Sequence, residues 1–107
     1  MRNSLAGKVV IITGASSGIG AATARLLATH ACKLTLAARS VDKMKAIADN
    51  LETETLVVRA DMTVPADIPA MVNKTLARFG RIDVMFANAG IYVPGQVDEG
   101  NPDAWSN

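Results

Sequence analysis

The chain has 107 residues, of which 50% are apolar and 20% are charged, and these proportions are typical of one globular domain rather than of a disordered segment. The formal net charge is +1 and no block of like charge occurs, so composition gives no support to a nucleic-acid partner. No apolar run is long enough for a signal sequence or a membrane span, and we therefore expect a cytoplasmic protein with no membrane partner. Cys32 is the only cysteine, which excludes an internal disulfide and predicts a buried apolar residue.

Apolar runs alternate with segments of helical periodicity along the chain. The predicted strands are Lys8–Thr13, Lys33–Ala38, Thr55–Ala60 and Ile82–Ala87. The predicted helices are Gly18–His30, Ser40–Glu52 and Val64–Gly80, and a fourth opens at Asn101 and Pro102 after a predicted loop over residues 88–100. This alternation predicts an α/β protein with a parallel sheet and right-handed crossovers.

The ends of the helices carry their own signals. Ser40 is the predicted N-cap of the second helix, and Thr63 is the predicted N-cap of the third, which Gly80 would stop. The first helix ends where a left-handed residue is expected and Ala31 is found, so either Ala31 adopts that conformation at a cost of about 1 kcal/mol or the helix ends by a different turn. His30 lies in the last turn, where attraction to the helix carboxyl terminus explains it better than a metal does, so no metal site is predicted.

A glycine-rich turn joins the first predicted strand to the first predicted helix in the stretch TGASSGIG. Gly14 would allow a sharp turn, Gly18 would remove a Cβ where a pyrophosphate approaches the backbone, and Gly20 would let the helix pack close to the sheet. The adjacent hydroxyls of Ser16 and Ser17 are further candidate donors to phosphate.

The spacing of these glycines leaves alternatives open. A nucleoside triphosphate site of the Walker A type requires a Lys after the last glycine, and none is present. The spacing G-x-x-x-G-x-G also differs from the usual dinucleotide pattern, so a tight turn that binds no ligand remains a second interpretation.

Three motifs in the expected order make the sequence resemble the short-chain dehydrogenase/reductase family. They are TGASSGIG, the pair Asp61 and Met62 after the third strand, and Asn88, Ala89 and Gly90 after the fourth. The tail FANAGIYVPGQVDEGNPDAW is similar to the ribitol dehydrogenase branch of that family. The resemblance implies a Rossmann-type, doubly wound parallel sheet in three layers with the strand order 3-2-1-4.

The resemblance also implies roles for the matching positions. The pyrophosphate and the adenosine ribose would be bound by Gly14, Ser16, Ser17, Gly18, Ile19 and Gly20. Asp61 would bind the adenine amino group beside Met62, while Asn88, Ala89 and Gly90 would line the ribose on the nicotinamide side. The implied partners are a nicotinamide dinucleotide and a small alcohol or ketone, and the implied full-length assembly is a homodimer or homotetramer.

The end of the second predicted strand bears on the choice of cofactor. An NAD site places an acidic residue there to bind the ribose 2′-hydroxyl, and an NADP site offers a cation to the 2′-phosphate. This chain has Ala38 at that place and Arg39 next to it, which favours NADP, whereas the ribitol dehydrogenase resemblance favours NAD as the runner-up.

The catalytic residues of the family have no match in this chain. The family uses a Ser and a Tyr-x-x-x-Lys pair, but Tyr92 is followed four residues later by Gln96, so Tyr92 is predicted to be a loop residue. We therefore expect residues 1–107 to be the amino-terminal part of one Rossmann domain in an enzyme more than twice as long, with Ile82–Ala87 as an uncovered strand edge. A non-catalytic dinucleotide sensor of the same fold and an empty structural scaffold are the alternatives.

Overall fold

The computed structural model describes residues 5–87 and, for the backbone, residues 90–92. The strands are β1 (Val9–Thr13), β2 (Lys33–Ala38), β3 (Thr55–Arg59), β4 (Val84–Ala87) and β5 (Gly90–Tyr92). The helices are α1 (Gly18–Thr29), α2 (Val41–Ala48) and α3 (Asp67–Phe79). None of these helices is long and apolar enough to cross a membrane.

The strands form one sheet in the order β3-β2-β1-β4-β5. The first four are parallel, which confirms the predicted order 3-2-1-4. The predicted loop after the fourth strand is wrong at its start, because β5 pairs antiparallel with β4, with Met85 opposite Tyr92 and Ala87 opposite Gly90. The expected uncovered edge at β4 is therefore wrong as well, since β5 satisfies backbone groups that β4 would otherwise leave unpaired.

The core lies on both faces of the sheet. Val10 and Ile12 of β1 pack in one buried cluster with Met44 of α2. Ile11, which lies between them in the sequence, packs on the opposite face with Met71 of α3. Consecutive side chains of a strand point to opposite faces, so an unbroken apolar run is buried only where helices cover both sides. This arrangement is the predicted three-layer fold.

Helix α1 approaches the sheet through small residues. Its buried positions are Gly20, Ala21 and Ala24, whereas Ile19 and Leu26 are 67% and 60% exposed. Residues 18–29 form the predicted helix, but the large apolar residues Ile19 and Leu26, whose spacing predicted the helix, face away from the core, and small residues face it. Small residues let the helix axis come close to the strands, and this brings the amino terminus of α1 close to the carboxyl end of β1.

Helix α3 begins at Asp67, three residues later than predicted, and the predicted N-cap role of Thr63 is wrong. Both the backbone N–H and the hydroxyl of Thr63 donate to Oδ1 of Asp61, at 2.9 Å and 2.6 Å. These bonds hold residues 61–63 in a turn, so the chain reaches Asp67 before helical geometry starts. The carboxylate of Asp67 in turn accepts the N–H of Asp61 at 2.9 Å.

Three other predicted helix ends can be compared with the structure. Gly80 ends α3 in the left-handed conformation with φ of +79°, as predicted. Ala31 adopts φ of +61°, so of the two predicted alternatives it is the one in which Ala31 accepts the strain. Ser40 directly precedes α2 as predicted, but its side chain makes no capping hydrogen bond.

A polar side chain fixes β4 against β1 at the amino-terminal edge of the sheet. The carboxylate of Asp83 accepts the N–H of Val9 at 2.8 Å, and the N–H of Asp83 donates to the Val9 carbonyl at 2.9 Å. The hydrogen bond from Arg81 is the largest cause that holds the pKa of Asp83 below its ordinary value, and the Val9 bond adds to it against the opposing effect of burial. The two hydrogen bonds between Asp83 and Val9 fix the register of β4 against β1, and that register determines how the carboxyl ends of the two strands are aligned.

Candidate functional site

The candidate site lies at the carboxyl-terminal edge of the parallel sheet. The glycine turn follows β1, Arg39 directly follows β2, and Asp61 is the second residue after β3. Because β1, β2 and β3 are adjacent and parallel, their carboxyl ends meet at one edge, and the structure brings these predicted residues there. Met62 is 37% exposed beside Asp61.

The third predicted motif is only partly described. Asn88 and Ala89 lie outside the described residues, so their predicted roles stay predictions. Gly90 is the first residue of β5 and pairs with Ala87 at the end of β4. That position puts the Gly90 backbone at the carboxyl end of β4, next to the strand that leads into the glycine turn.

The base of the glycine turn, formed by Gly14 and Gly20, is closed. Gly14 has φ of +64°, a left-handed conformation that glycine adopts without strain. A Cβ added at Gly20 would lie 2.4 Å from the Gly14 carbonyl oxygen and 2.8 Å from Cα of Ala15. Gly20 was predicted to let the helix pack close to the sheet. In the structure, the atoms that a Cβ at Gly20 would contact belong to the backbone of the glycine turn. The fold alone therefore requires glycine at position 20 and favours it at position 14.

Ser17 joins the base of the turn to the helix. Its Oγ accepts the N–H of Gly20 at 3.1 Å and donates to the Gly14 carbonyl at 2.8 Å, which makes Ser17 the N-cap of α1. The hydroxyl hydrogen that was predicted to serve a phosphate is thus already donated within the turn. Ser16 is half-buried, and its hydroxyl has no hydrogen-bond partner among the described residues, so it remains the better candidate donor.

The rim of the glycine turn, formed by Gly18 and Ile19, is open. A Cβ added at Gly18 would meet no atom within 4 Å, and Ile19 is 67% exposed. The N–H groups of both residues lack an acceptor within the described part of the chain. No acidic residue lies in the first turn of α1, so the partial positive charge of the helix amino terminus is not compensated there. This arrangement can bind an anion of phosphate size through backbone donors.

Asp61 lies at the carboxyl end of β3 with its carboxylate partly engaged. Hydrogen bonds from the Thr63 hydroxyl, and then from the Thr63 N–H, hold the pKa of Asp61 below its ordinary value. The positive charges of Arg39 and Arg59 lower the pKa of Asp61 further, so Asp61 is ionised near neutral pH and can accept hydrogen bonds.

Sequence reasoning missed Arg59 at this edge. It is the last residue of β3, pairs with Ala38 of β2 and is exposed. The only signal in the sequence is a charged residue near the end of the apolar run TLVVRA. Because an exposed cation near a strand end is common, that signal alone does not distinguish a binding residue from a solvated one.

A groove of about 420 Å³ lies toward the opposite, amino-terminal edge of the sheet. Its walls are mainly apolar and include Val10, Leu27, Cys32 and Phe86. Cys32 is fully buried, and burial followed by the charge of Asp83 raises the pKa of its thiol. A raised thiol pKa makes Cys32 a poor nucleophile, which agrees with its interpretation as a buried apolar residue. The described residues contain no group of three His, Cys, Asp or Glu side chains that could hold a metal.

Comparison with known proteins places the chain in a family. A profile of the short chain dehydrogenase family matches residues 8–107. An uncharacterized oxidoreductase of Listeria monocytogenes is 42% identical over 101 residues, which cover 92% of this chain and 41% of that protein. The chain thus spans less than half the length of the curated relatives it matches.

Solved structures agree with this placement. The crystal structure of a 3-ketoacyl-(acyl-carrier-protein) reductase from Brucella melitensis, complexed with NADH, matches with a TM-score of 0.73 and 35% identity over 77% of this chain and 34% of that one. A metagenomic short-chain oxidoreductase in complex with NADP matches with a TM-score of 0.72 and 38% identity over 77% of this chain and 38% of that one. The extent of the profile match and the identity to these relatives show that the chain belongs to the short-chain dehydrogenase/reductase family.

Proposed function

We propose that the protein carrying this chain transfers hydride between NADP(H) and an alcohol/carbonyl pair, and that residues 1–107 supply the cofactor-binding part of its Rossmann domain. The observation that carries the proposal is the open rim of the glycine turn, where the N–H groups of Gly18 and Ile19 have no acceptor within the described residues. Family membership supports the same reaction class, because the matched relatives are oxidoreductases by name.

Residues at the carboxyl-terminal edge of the sheet could contact each part of a bound dinucleotide. Gly18 and Ile19 would donate backbone N–H groups to the diphosphate, and the Ser16 hydroxyl would add a donor beside them. The Asp61 carboxylate would accept the adenine amino group, with Met62 next to the ring. The proposed ribose contacts on the nicotinamide side are Asn88, Ala89 and Gly90.

The preference for NADP is proposed from the end of β2. Ala38 stands where an acidic residue would bind the 2′-hydroxyl of NAD, and the exposed Arg39 offers a guanidinium to a 2′-phosphate. The comparisons leave both cofactors open, since one structural relative is complexed with NADH and another with NADP.

The bound nicotinamide would accept or donate the hydride, and the role of this chain is to hold and orient the cofactor. We propose that the proton-transferring Tyr and its Lys partner lie outside these 107 residues. A polyol is the narrower substrate proposal, from the ribitol dehydrogenase resemblance of the tail. Cytoplasmic location and a homodimeric or homotetrameric assembly complete the proposal.

A calorimetric titration tests the proposed cofactor. We expect the protein to bind NADP⁺ more tightly than NAD⁺, and Arg39→Gln to weaken NADP⁺ binding about tenfold while leaving NAD⁺ binding nearly unchanged. Equal losses for the two cofactors would contradict the assignment of Arg39, and binding of neither cofactor would contradict the proposed function as a whole.

A further inference from the structure

A second arginine, Arg59, lies at the carboxyl-terminal edge of the sheet on the strand next to the one that leads to Arg39. Arg59 ends β3, and its register partner is Ala38, the residue that directly precedes Arg39. The N–H of Ala60 donates to the Ala38 carbonyl at 3.0 Å, so the two strands are still joined where the two arginines occur. Arg39 and Arg59 therefore belong to one short stretch of the edge, contributed by neighbouring strands.

Neither arginine is held by an ion pair within the described part of the chain. The salt bridges found there join Lys33 to Glu54 and Arg81 to Asp83, and all four of those residues lie elsewhere. Arg39 and Arg59 are both exposed. A guanidinium that has no carboxylate partner retains its full set of donors for a ligand.

The carboxylate of Asp61 lies near both arginines but is partly engaged elsewhere. Oδ1 of Asp61 accepts both the N–H and the hydroxyl of Thr63, so this oxygen is directed into its own turn. The charges of Arg39 and Arg59 both lower the pKa of Asp61, though less than the Thr63 hydrogen bonds do, so each arginine is within electrostatic range of that carboxylate.

We infer that Arg59 is a second specificity-determining residue, which acts with Arg39 to bind the 2′-phosphate of NADP. This inference rests on the proposed function, because it extends the same cofactor site to β3. A phosphate monoester carries close to two negative charges at neutral pH and three acceptor oxygens, so it can accept donors from two guanidiniums at once. NAD has a hydroxyl at that place, which offers no charge for either arginine to bind.

The test uses two probes that differ only in that phosphate, adenosine 2′,5′-bisphosphate and adenosine 5′-monophosphate. Calorimetry on the protein should give tighter binding of the bisphosphate. Arg59→Gln should weaken bisphosphate binding about fivefold, a modest factor because the group is exposed, and should leave monophosphate binding unchanged. Arg78→Gln is the matched control: it removes the same charge from the last turn of α3, at the opposite edge of the sheet, and should change neither affinity.

The possible results distinguish a failure of the role proposed for Arg59 from a failure of the proposed NADP-binding function. If Arg59→Gln leaves bisphosphate affinity at the wild-type value while Arg39→Gln lowers it, the role of Arg59 is overturned and the NADP site survives. Equal losses of both probes in Arg59→Gln also overturn the inference, because the residue would then not recognise the 2′-phosphate. Binding of neither probe to the wild-type protein would overturn the proposed function together with the inference. Circular dichroism of each variant checks that the fold is retained.

Discussion

The closed base and the open rim of the glycine turn use the same residue type for opposite reasons. At the base, a Cβ on Gly20 would lie 2.4 Å from the Gly14 carbonyl oxygen, which is far inside van der Waals contact. At the rim, two residues away, a Cβ on Gly18 would meet nothing within 4 Å. The fold explains the absence of a side chain at Gly20 but not at Gly18, and the free space at Gly18 is what a ligand would fill.

Gly20→Ala should produce the largest loss of stability. The added methyl group overlaps backbone atoms of Gly14 and Ala15, which cannot move without opening the turn, and we expect a cost of about 3 kcal/mol. Urea denaturation followed by circular dichroism measures it. A variant as stable as the wild type would show that the base is not closed in solution, and the contrast with the rim would disappear.

Ser17→Ala tests the hydrogen bonds by which the Ser17 side chain connects the glycine turn to the first turn of α1. Loss of the Oγ bonds to the Gly20 N–H and the Gly14 carbonyl removes the N-cap of α1, with an expected cost of about 1 kcal/mol. The same denaturation experiment measures it, with Ser40→Ala as a control, since the Ser40 side chain makes no capping bond. Equal effects at the two serines would contradict the assignment of Ser17 as the cap.

Gly18→Ala should have the smallest effect on stability and a clear effect on binding. Gly18 does not have a positive φ and its Cβ site is empty, so alanine should stabilise α1 by about 0.5 kcal/mol. Dinucleotide affinity should nevertheless fall about tenfold, because the methyl group lies where the diphosphate approaches the backbone. A stable variant with wild-type affinity would mean that the rim is not the diphosphate site.

Much of the fold could be predicted from sequence because the strands are apolar runs with clear boundaries. β2 was predicted with its observed ends, and the strand order follows from the family resemblance. The start of α3 was misplaced although Pro69 carried the signal: proline is tolerated only in the first turn of a helix, which excludes a start at Val64. β5 pairs with its neighbour in sequence, β4, but three residues are too few for a period-2 alternation to distinguish a strand from a loop.

The sequence predicted where the residues of the candidate site lie better than it predicted which hydrogen bonds and neighbours they have. The glycine turn and Asp61 lie at the expected edge because parallel strands bring their carboxyl ends together. Sequence could not show that the Ser17 hydroxyl is committed within the turn, since capping depends on local geometry. Arg59 escaped notice because its proximity to Arg39 arises only from the register of β2 with β3.

The most direct test of the account follows backbone amide signals by NMR while NADP⁺ is added to the isotope-labelled protein. The account predicts large shifts for the amides of Gly18 and Ile19, which have no acceptor among the described residues, and a small shift for Gly20, whose N–H is already bonded to Ser17. Saturating NADP⁺ that leaves the Gly18 and Ile19 signals in place would contradict the claim that the open rim binds the diphosphate.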